Sequence, residues 1–363
     1  MKRAIAWSAG VAAMLVTMAW WWCPFGTCTV DDTEVFHGDV LFVTNRELVD
    51  APGPGDTFNG RRGQLRYGRC RVRFQPIPMA DGLADQVDFF VPTEIRNVDA
   101  VEIFDRDVFS NALDGGNGSV PLPVVLFVHG YSYGFARTCR MGAELQRVLA
   151  DQARVVMFSW PSDGNPANYV PDQVDVEWSV PQLAGLIGEI EARVGSSRLR
   201  LLAHSLGTRG MLFALDTLAL DGRDSTVAEH LVLLAPDYDS ATFARQIHRF
   251  SPLVDRITLY ASDNDRPLSV SQMLHVQPRL GQAGEHLTVL PGIETIDVSP
   301  LGRYHPSGHE YFFYHPVVAD DLTESLVRRT RPGARKHIEE RSHEGRPYWA
   351  LIPPGSESDG TAD

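Results

Sequence analysis

The chain has 363 residues, 44% of them hydrophobic and 22% charged, an ordinary globular composition that excludes a wholly disordered, collagen-like or polytopic membrane protein. With 33 basic against 46 acidic side chains its formal charge is −13, so the positive balance that neutralises phosphates is missing and no nucleic-acid partner is expected.

The N-terminus stands apart from the rest. Lys2 and Arg3 precede an uncharged run from Ala4 to Trp22, and its 19 residues would extend about 28 Å as a helix, close to the roughly 30 Å of bilayer hydrocarbon. Trp20, Trp21 and Trp22 end the run where a cleavage site would need small residues, which favours an uncleaved signal anchor within residues 1–30. The two positive charges hold the short end in the cytoplasm. The expectation is therefore an inner-membrane anchor with the remainder in the periplasm, cleavage to a soluble exported protein being the alternative. Cys23, Cys28, Cys70 and Cys139 suit an oxidising compartment, and their pairing is not legible from spacing.

Val40 to Val43 and Leu65 to Phe74 have strand composition, and the turn-rich stretch from Ala51 to Gly63 parts them, which predicts two antiparallel strands leading into a larger sheet. Beyond a Gly/Asn-rich break, Asn111 to Gly118, short apolar runs recur at Val124–Val128, Val155–Phe158, Leu199–Leu202, Leu231–Leu234, Ile257–Tyr260 and Ile293–Val298. They scarcely alternate, as strands buried on both faces do not. Between them Met141, Leu145, Val148 and Leu149, and Leu183, Leu186, Ile187, Ile190 and Val194, keep helical spacing. This predicts parallel strands joined by right-handed helical crossovers, with a last helix from Val317 to Arg328. The domain is expected over 38–330. In the extension, 331–363, Tyr348 to Ile352 can pack back on the body, while Gly355 to Asp363 is polar and expected to be disordered.

In Leu201-Leu202-Ala203-His204-Ser205-Leu206-Gly207-Thr208 a buried strand runs into a small-x-Ser-x-Gly turn and then a helix, the pattern of a nucleophile elbow presenting an exposed serine hydroxyl. Ala203 stands where glycine is usual. The bland reading makes Ser205 an ordinary helix N-cap. Earlier, Val124 to Val128 ends in His129-Gly130-Tyr131. Gly130 lets the backbone turn so that the Tyr131 amide joins the Leu206 amide as an oxyanion hole, and His129 reads as a structural hydrogen-bonding residue.

These features resemble the α/β-hydrolase superfamily, and more narrowly the bacterial family catalogued as domain of unknown function 900. The resemblance covers residues 40–330. It rests on Val43-Thr44-Asn45-Arg46, Tyr67-Gly68-Arg69-Cys70-Arg71-Val72, His129-Gly130-Tyr131, Phe158-Ser159-Trp160-Pro161-Ser162, Ala203-His204-Ser205-Leu206-Gly207, Ala235-Pro236-Asp237 and Gly308-His309-Glu310-Tyr311. It implies an α/β-hydrolase fold with a mostly parallel central sheet, helices on both faces and an antiparallel N-terminal edge, here preceded by one hydrophobic helix. It also implies an esterase or lipase-like serine hydrolase, and it supplies no physiological substrate.

The superfamily's order is serine, acid, histidine. Two carboxylate clusters follow strands, Asp237 with Asp239 and Asp263 with Asp265; the turn Ser262-Asp263-Asn264-Asp265-Arg266-Pro267 resembles the hydrolase acid turn and points to Asp265, with Asp237 the alternative acid and Asp263 behind it. Of the downstream histidines, His275, His286, His305, His309 and His315, the expected base is His309, on a loop between the last strand and last helix; the resemblance selects the same residue. His305, His309, Glu310 and His315 could instead ligate zinc, but their spacing matches no metal motif, and no metal or cofactor is expected. The expected partner is a small-molecule or lipid-like acyl ester, with the stretch from Trp160 to Val180 shaping specificity. A second reading keeps the scaffold as a non-catalytic envelope binding protein. Oligomeric state is not legible.

Overall fold

The computed structural model describes residues 35–50, 53–77, 92–114 and 121–356. The strands there are β1 (Phe36–Leu48), β2 (Phe58–Pro76), β3 (Glu94–Phe104), β4 (Val124–Val128), β5 (Arg154–Ser159), β6 (Leu199–His204), β7 (Ala228–Leu234), β8 (Val254–Ala261), β9 (Ile293–Asp297), β10 (Ile338–His343) and β11 (Arg346–Leu351). The helices are α1 (Arg106–Ala112), α2 (Phe135–Val148), α3 (Tyr169–Trp178), α4 (Val180–Val194), α5 (Gly207–Leu220), α6 (Ser240–Phe250), α7 (Arg266–His275), α8 (Tyr311–Tyr314) and α9 (Pro316–Leu326). One sheet has the order β10-β11-β9-β8-β7-β6-β4-β5-β1-β2-β3. From β1 through β5, β4, β6, β7, β8 and β9 to β11 every pairing is parallel. Antiparallel pairs close both edges, β2 and β3 beyond β1 and β10 beyond β11.

The near-continuous apolar strands are buried on both faces, as their composition requires. In β4, Val124, Leu126 and Val128 join one core with helices α1, α3, α4, α5 and α6, while Val125 and Phe127 join the other with α2, α8 and α9. Each such side chain contributes roughly 1.5–3 kcal/mol on leaving water, so the sheet's centre resists register slip. Leu183, Leu186, Ile187, Ile190 and Val194 form the buried stripe of α4, which ends at Gly195 with φ 83°, a conformation glycine adopts without a Cβ clash. Cys70 of β2 and Cys139 of α2 form a disulfide that ties the antiparallel edge to a covering helix.

Two regions extend beyond the expected strands. The stretch read as turn is partly strand, because β2 begins at Phe58: Phe58, Cys70, Val72 and Phe74 are buried, and Arg69, Arg71 and Arg73 on the opposite side pair with Glu102, Asp39 and Asp99 respectively. The sheet also continues past residue 330, where β10 and β11 form a hairpin whose turn, Glu344-Gly345, has both residues at positive φ. Trp349 pairs with Ile296 to join that hairpin to β9. The apolar run from Ala4 to Trp22, Cys23, Cys28 and the tail from 357 lie outside the described residues. Among the described residues no helix is long and apolar enough to cross a membrane.

Candidate active site

The chain leaves β4 toward β5 on one side and then crosses back to β6 on the other, so β4 and β6 flank the point where strand order reverses. Ligands of open parallel sheets bind there, beyond the strands' carboxyl ends. His129, Gly130 and Tyr131 follow β4, and Ser205 follows β6.

Ser205 has φ 52°, a left-handed conformation that a serine adopts only where its surroundings over-determine it. Those surroundings are explicit: its N–H donates to Leu234 O at 3.0 Å, its carbonyl accepts from Asp237 N at 3.1 Å, and α5 starts two residues on. A Cβ on Gly207 would lie 2.3 Å from His129 O, and one on Gly130 3.0 Å from Ser205 Cβ. The two turns interlock so closely that both positions exclude larger side chains. The Tyr131 and Leu206 N–H groups donate to no described residue, leaving both donors available to an incoming oxygen. Against the expectation of an exposed hydroxyl, Ser205 is 3% exposed.

Asp265 caps α7, accepting from Leu268 N through Oδ1 at 3.0 Å, and its Oδ2 lies 2.6 Å from His309 Nδ1. The proton on that nitrogen is shared toward the carboxylate. The His309 ring lies 4.6 Å from that of His204, the neighbour of Ser205. Burial acts to lower the His309 pKa, but the Asp265 carboxylate, by charge and hydrogen bond, and Glu310 beyond it raise it above the ordinary histidine value. The His309 loop is fixed from two sides. Glu310 accepts from the Tyr133 hydroxyl and from Arg137 Nη2 at 2.6 Å, and Arg266 N donates to Ser307 O at 3.2 Å.

Asp237, the alternative acid, takes different partners: Arg279 Nε at 2.8 Å, Ser271 Oγ at 2.6 Å and Tyr169 OH at 2.6 Å. Asp263 lies exposed, its N–H donating to Ser299 Oγ at 3.0 Å. His129 is sandwiched between Trp160, stacked at 4.9 Å, and Tyr133 at 5.7 Å. Burial, then the charge of Arg46, pushes its pKa well below the ordinary value, so it is a neutral part of the wall. In the suggested metal cluster His305 stacks on Tyr314 at 4.9 Å, Glu310 is taken by Tyr133 and Arg137, and His315 accepts from Val317 N as a helix cap. No group of three or more His, Cys, Asp or Glu is placed to hold a metal ion among the described residues.

Two buried charges that sequence reasoning left without a role hold the turn after β4. Arg46, at the end of a buried apolar strand, donates to Ser159 Oγ at 2.8 Å, to Tyr133 O at 2.6 Å and to Ser162 O; burial lowers its pKa to about 9, with the charge of Asp172 partly restoring it. Asp172 of α3 accepts from Ser132 N at 2.9 Å and Ser162 Oγ at 2.6 Å. The available signal was Asn45-Arg46, polar residues closing a run that is otherwise apolar. Within the 160–180 stretch Trp160 belongs to the core, donating to His129 O at 2.8 Å, whereas Tyr169 reaches the site through Asp237 and its edge-on contact with Tyr131 at 5.2 Å.

No curated protein matches the chain. Similar solved structures include an esterase of Pyrobaculum calidifontis, at 12% identity over 78% of this chain and 87% of that one with a TM-score of 0.36. EstE1, a thermostable carboxylesterase cloned from a metagenomic library, gives 13%, 72%, 90% and 0.34 in the same order, and Aspergillus fumigatus lipase B gives 16%, 58%, 54% and 0.36. Residues 119–329, which carry the β4 turn, Ser205, Asp265 and the His309 loop, match the model of the family described as alpha/beta hydrolase of unknown function (DUF900), and the chain belongs to that family.

Proposed function

We propose that the protein is a serine hydrolase that cleaves an ester or related acyl bond through an acyl-enzyme intermediate. The observation that carries the reading is the 2.6 Å bond between Asp265 and His309, whose ring lies 4.6 Å from that of His204, the residue preceding a serine held at positive φ on a strand-to-helix turn. In this mechanism Ser205 Oγ attacks the substrate carbonyl while His309, through the ring nitrogen opposite Asp265, takes its proton and passes it to the leaving alcohol. Asp265 keeps the imidazole in the tautomer that leaves that nitrogen free and stabilises the imidazolium. The Tyr131 and Leu206 amides hold the oxyanion, each such donor contributing roughly 10²–10³ in rate. Water, activated by the same histidine, then releases the acyl group and restores Ser205.

Turnover of a soluble short-chain ester tests this. Ser205→Ala and His309→Ala are each expected to lose at least about 10³-fold in kcat while remaining folded; a folded Ser205→Ala protein with unchanged turnover would refute the mechanism, and no turnover by the folded wild type would favour the non-catalytic binding role. Turnover is expected to survive EDTA. We also propose, from the charge and length of residues 2–22, that the enzyme is anchored in the inner membrane with its hydrolase domain in the periplasm. A reporter that is active only outside the cytoplasm, fused after the domain, is expected to be active and membrane-bound. Recovery of the fusion in the cytoplasm would contradict export, and a soluble periplasmic product would contradict the anchor.

A further inference from the structure

Resting on the serine hydrolase reading, we propose that His129 is a positioning residue of the oxyanion hole, locked by Arg46 in the tautomer that clamps the peptide carrying the Tyr131 N–H. The imidazole lies between two groups whose hydrogen-bonding sense is fixed by their chemistry. Its Nε2 is 3.4 Å from Arg46 Nη2, and a guanidinium accepts no hydrogen bond, so that ring nitrogen is the acceptor. Its Nδ1 is 2.7 Å from Gly130 O, and a carbonyl oxygen only accepts, so that nitrogen is the donor. Burial and the Arg46 charge keep the ring neutral, so it has one proton, and both neighbours place it on Nδ1. The 3.4 Å contact is long for a hydrogen bond; its weight comes from charge, since the other tautomer would aim an N–H at a buried cation. The remaining Arg46 bonds, to Ser159 Oγ, Tyr133 O and Ser162 O, fix the guanidinium and include no carboxylate. Stacking of the ring between Trp160 and Tyr133, 9° and 20° from parallel, opposes a flip that would exchange its two nitrogens.

The clamp answers a problem that the interlocked turns create. A Cβ on Gly130 would lie 3.0 Å from Ser205 Cβ and 3.1 Å from His204 Nδ1, and the glycine that this crowding demands leaves the adjoining peptide free to swing. In a trans peptide the C=O and N–H point in opposite directions. Holding Gly130 O therefore aims the Tyr131 N–H, which has no partner of its own among the described residues. A carbonyl that accepts a hydrogen bond also polarises its peptide and strengthens the N–H on the far side. One residue on, Ser132 stands at φ 61° and its N–H donates to Asp172, so the turn is gripped on both sides of the donor.

Two substitutions separate a hydrogen-bond donor from a piece of packing. His129→Asn keeps an N–H near the Nδ1 position, whereas His129→Phe keeps a stacked ring and has no donor. On a soluble ester His129→Phe is expected to lose about 10²-fold in kcat, within the range for one oxyanion donor, with KM changed by less than about threefold. His129→Asn is expected to recover at least about tenfold of that loss. A folded His129→Phe protein that turns over as fast as His129→Asn, or faster, would overturn the proposal, because packing alone favours the ring. The tautomer is read without any substitution in the chain observed, by ¹⁵N NMR of the histidine-labelled wild-type full chain in detergent micelles; the His129 signals are those missing from His129→Asn. A protonated Nδ1 and a bare Nε2 are expected, and a proton on Nε2 would overturn the proposal. If the wild type hydrolyses no ester, the catalytic reading fails, and the tautomer still decides whether Arg46, His129 and Gly130 form the clamp.

Discussion

Two aspartates sit at the ends of adjacent strands, and their surroundings give them different work. Asp265 faces His309, whereas Asp237 is enclosed by Arg279, Ser271 and Tyr169. Asp265→Asn is expected to leave the fold nearly intact and lower kcat by about 10⁴, because the amide favours the wrong imidazole tautomer. Asp237→Asn leaves the buried Arg279 without its carboxylate, and removing one partner of a buried pair costs about 3–5 kcal/mol; its signature is a lowered denaturation midpoint. A larger loss of turnover in the folded Asp237 variant would reverse the assignment. The histidine adds a pH test. His309 accepts a proton only when neutral, and Asp265 raises its pKa, so kcat/KM on a soluble ester should fall tenfold per unit below a midpoint above the ordinary value of about 6.5. In Asp265→Asn the raising charge is gone while burial remains, and the midpoint of the residual activity should move down. A wild-type midpoint below 6 would contradict this account.

The central strands and the helices between them were legible because each buries a continuous apolar run or a helical stripe, a pattern that survives without knowledge of the partner. β4 spans the residues its composition marks, Val124–Val128. The edges were not legible for the opposite reason: β3 carries exposed Ile95 and Ile103 beside charged residues, and the hairpin of β10 and β11 turns on Glu344-Gly345, which lacks the Asn-Gly signature of such turns. The turns of the candidate site were legible where backbone geometry restricts residue choice, at Gly130, Ser205 and Gly207. The roles of Arg46 and of the Tyr133–Glu310 contact were not legible because the partners are remote in sequence, 87 residues apart for Arg46 with Tyr133 and 177 for Tyr133 with Glu310, a separation no local pattern records. The loops themselves give a prediction. Gly308 has φ 67°, and a Cβ there would lie 2.1 Å from Asn264 O, so Gly308→Ala should push the histidine loop off the acid turn. Displacement of about 1 Å costs on the order of 10² in rate; we expect that loss in kcat with a small fall in Tm, and unchanged kcat would show that the loops are not coupled.

For the whole molecule, the parallel sheet supplies a rigid row of strand ends, and the antiparallel edge is secured to it by Cys70–Cys139, which spans a sequence separation of 69 residues. Closing a loop of that length stabilises the fold by on the order of 4 kcal/mol in the chain-entropy account. Cys70→Ser with Cys139→Ser should therefore lower the denaturation midpoint substantially while leaving kcat near wild type, since neither cysteine touches the site; an unchanged midpoint would remove the disulfide from the stability account. The central claim, that one activated serine carries the chemistry, is tested most directly by reacting the protein with a fluorophosphonate and locating the adduct by mass spectrometry. The account predicts one adduct per chain, on Ser205, absent from Ser205→Ala and formed far more slowly in His309→Ala. No adduct on the folded wild-type protein, or undiminished labelling of Ser205→Ala, would contradict it.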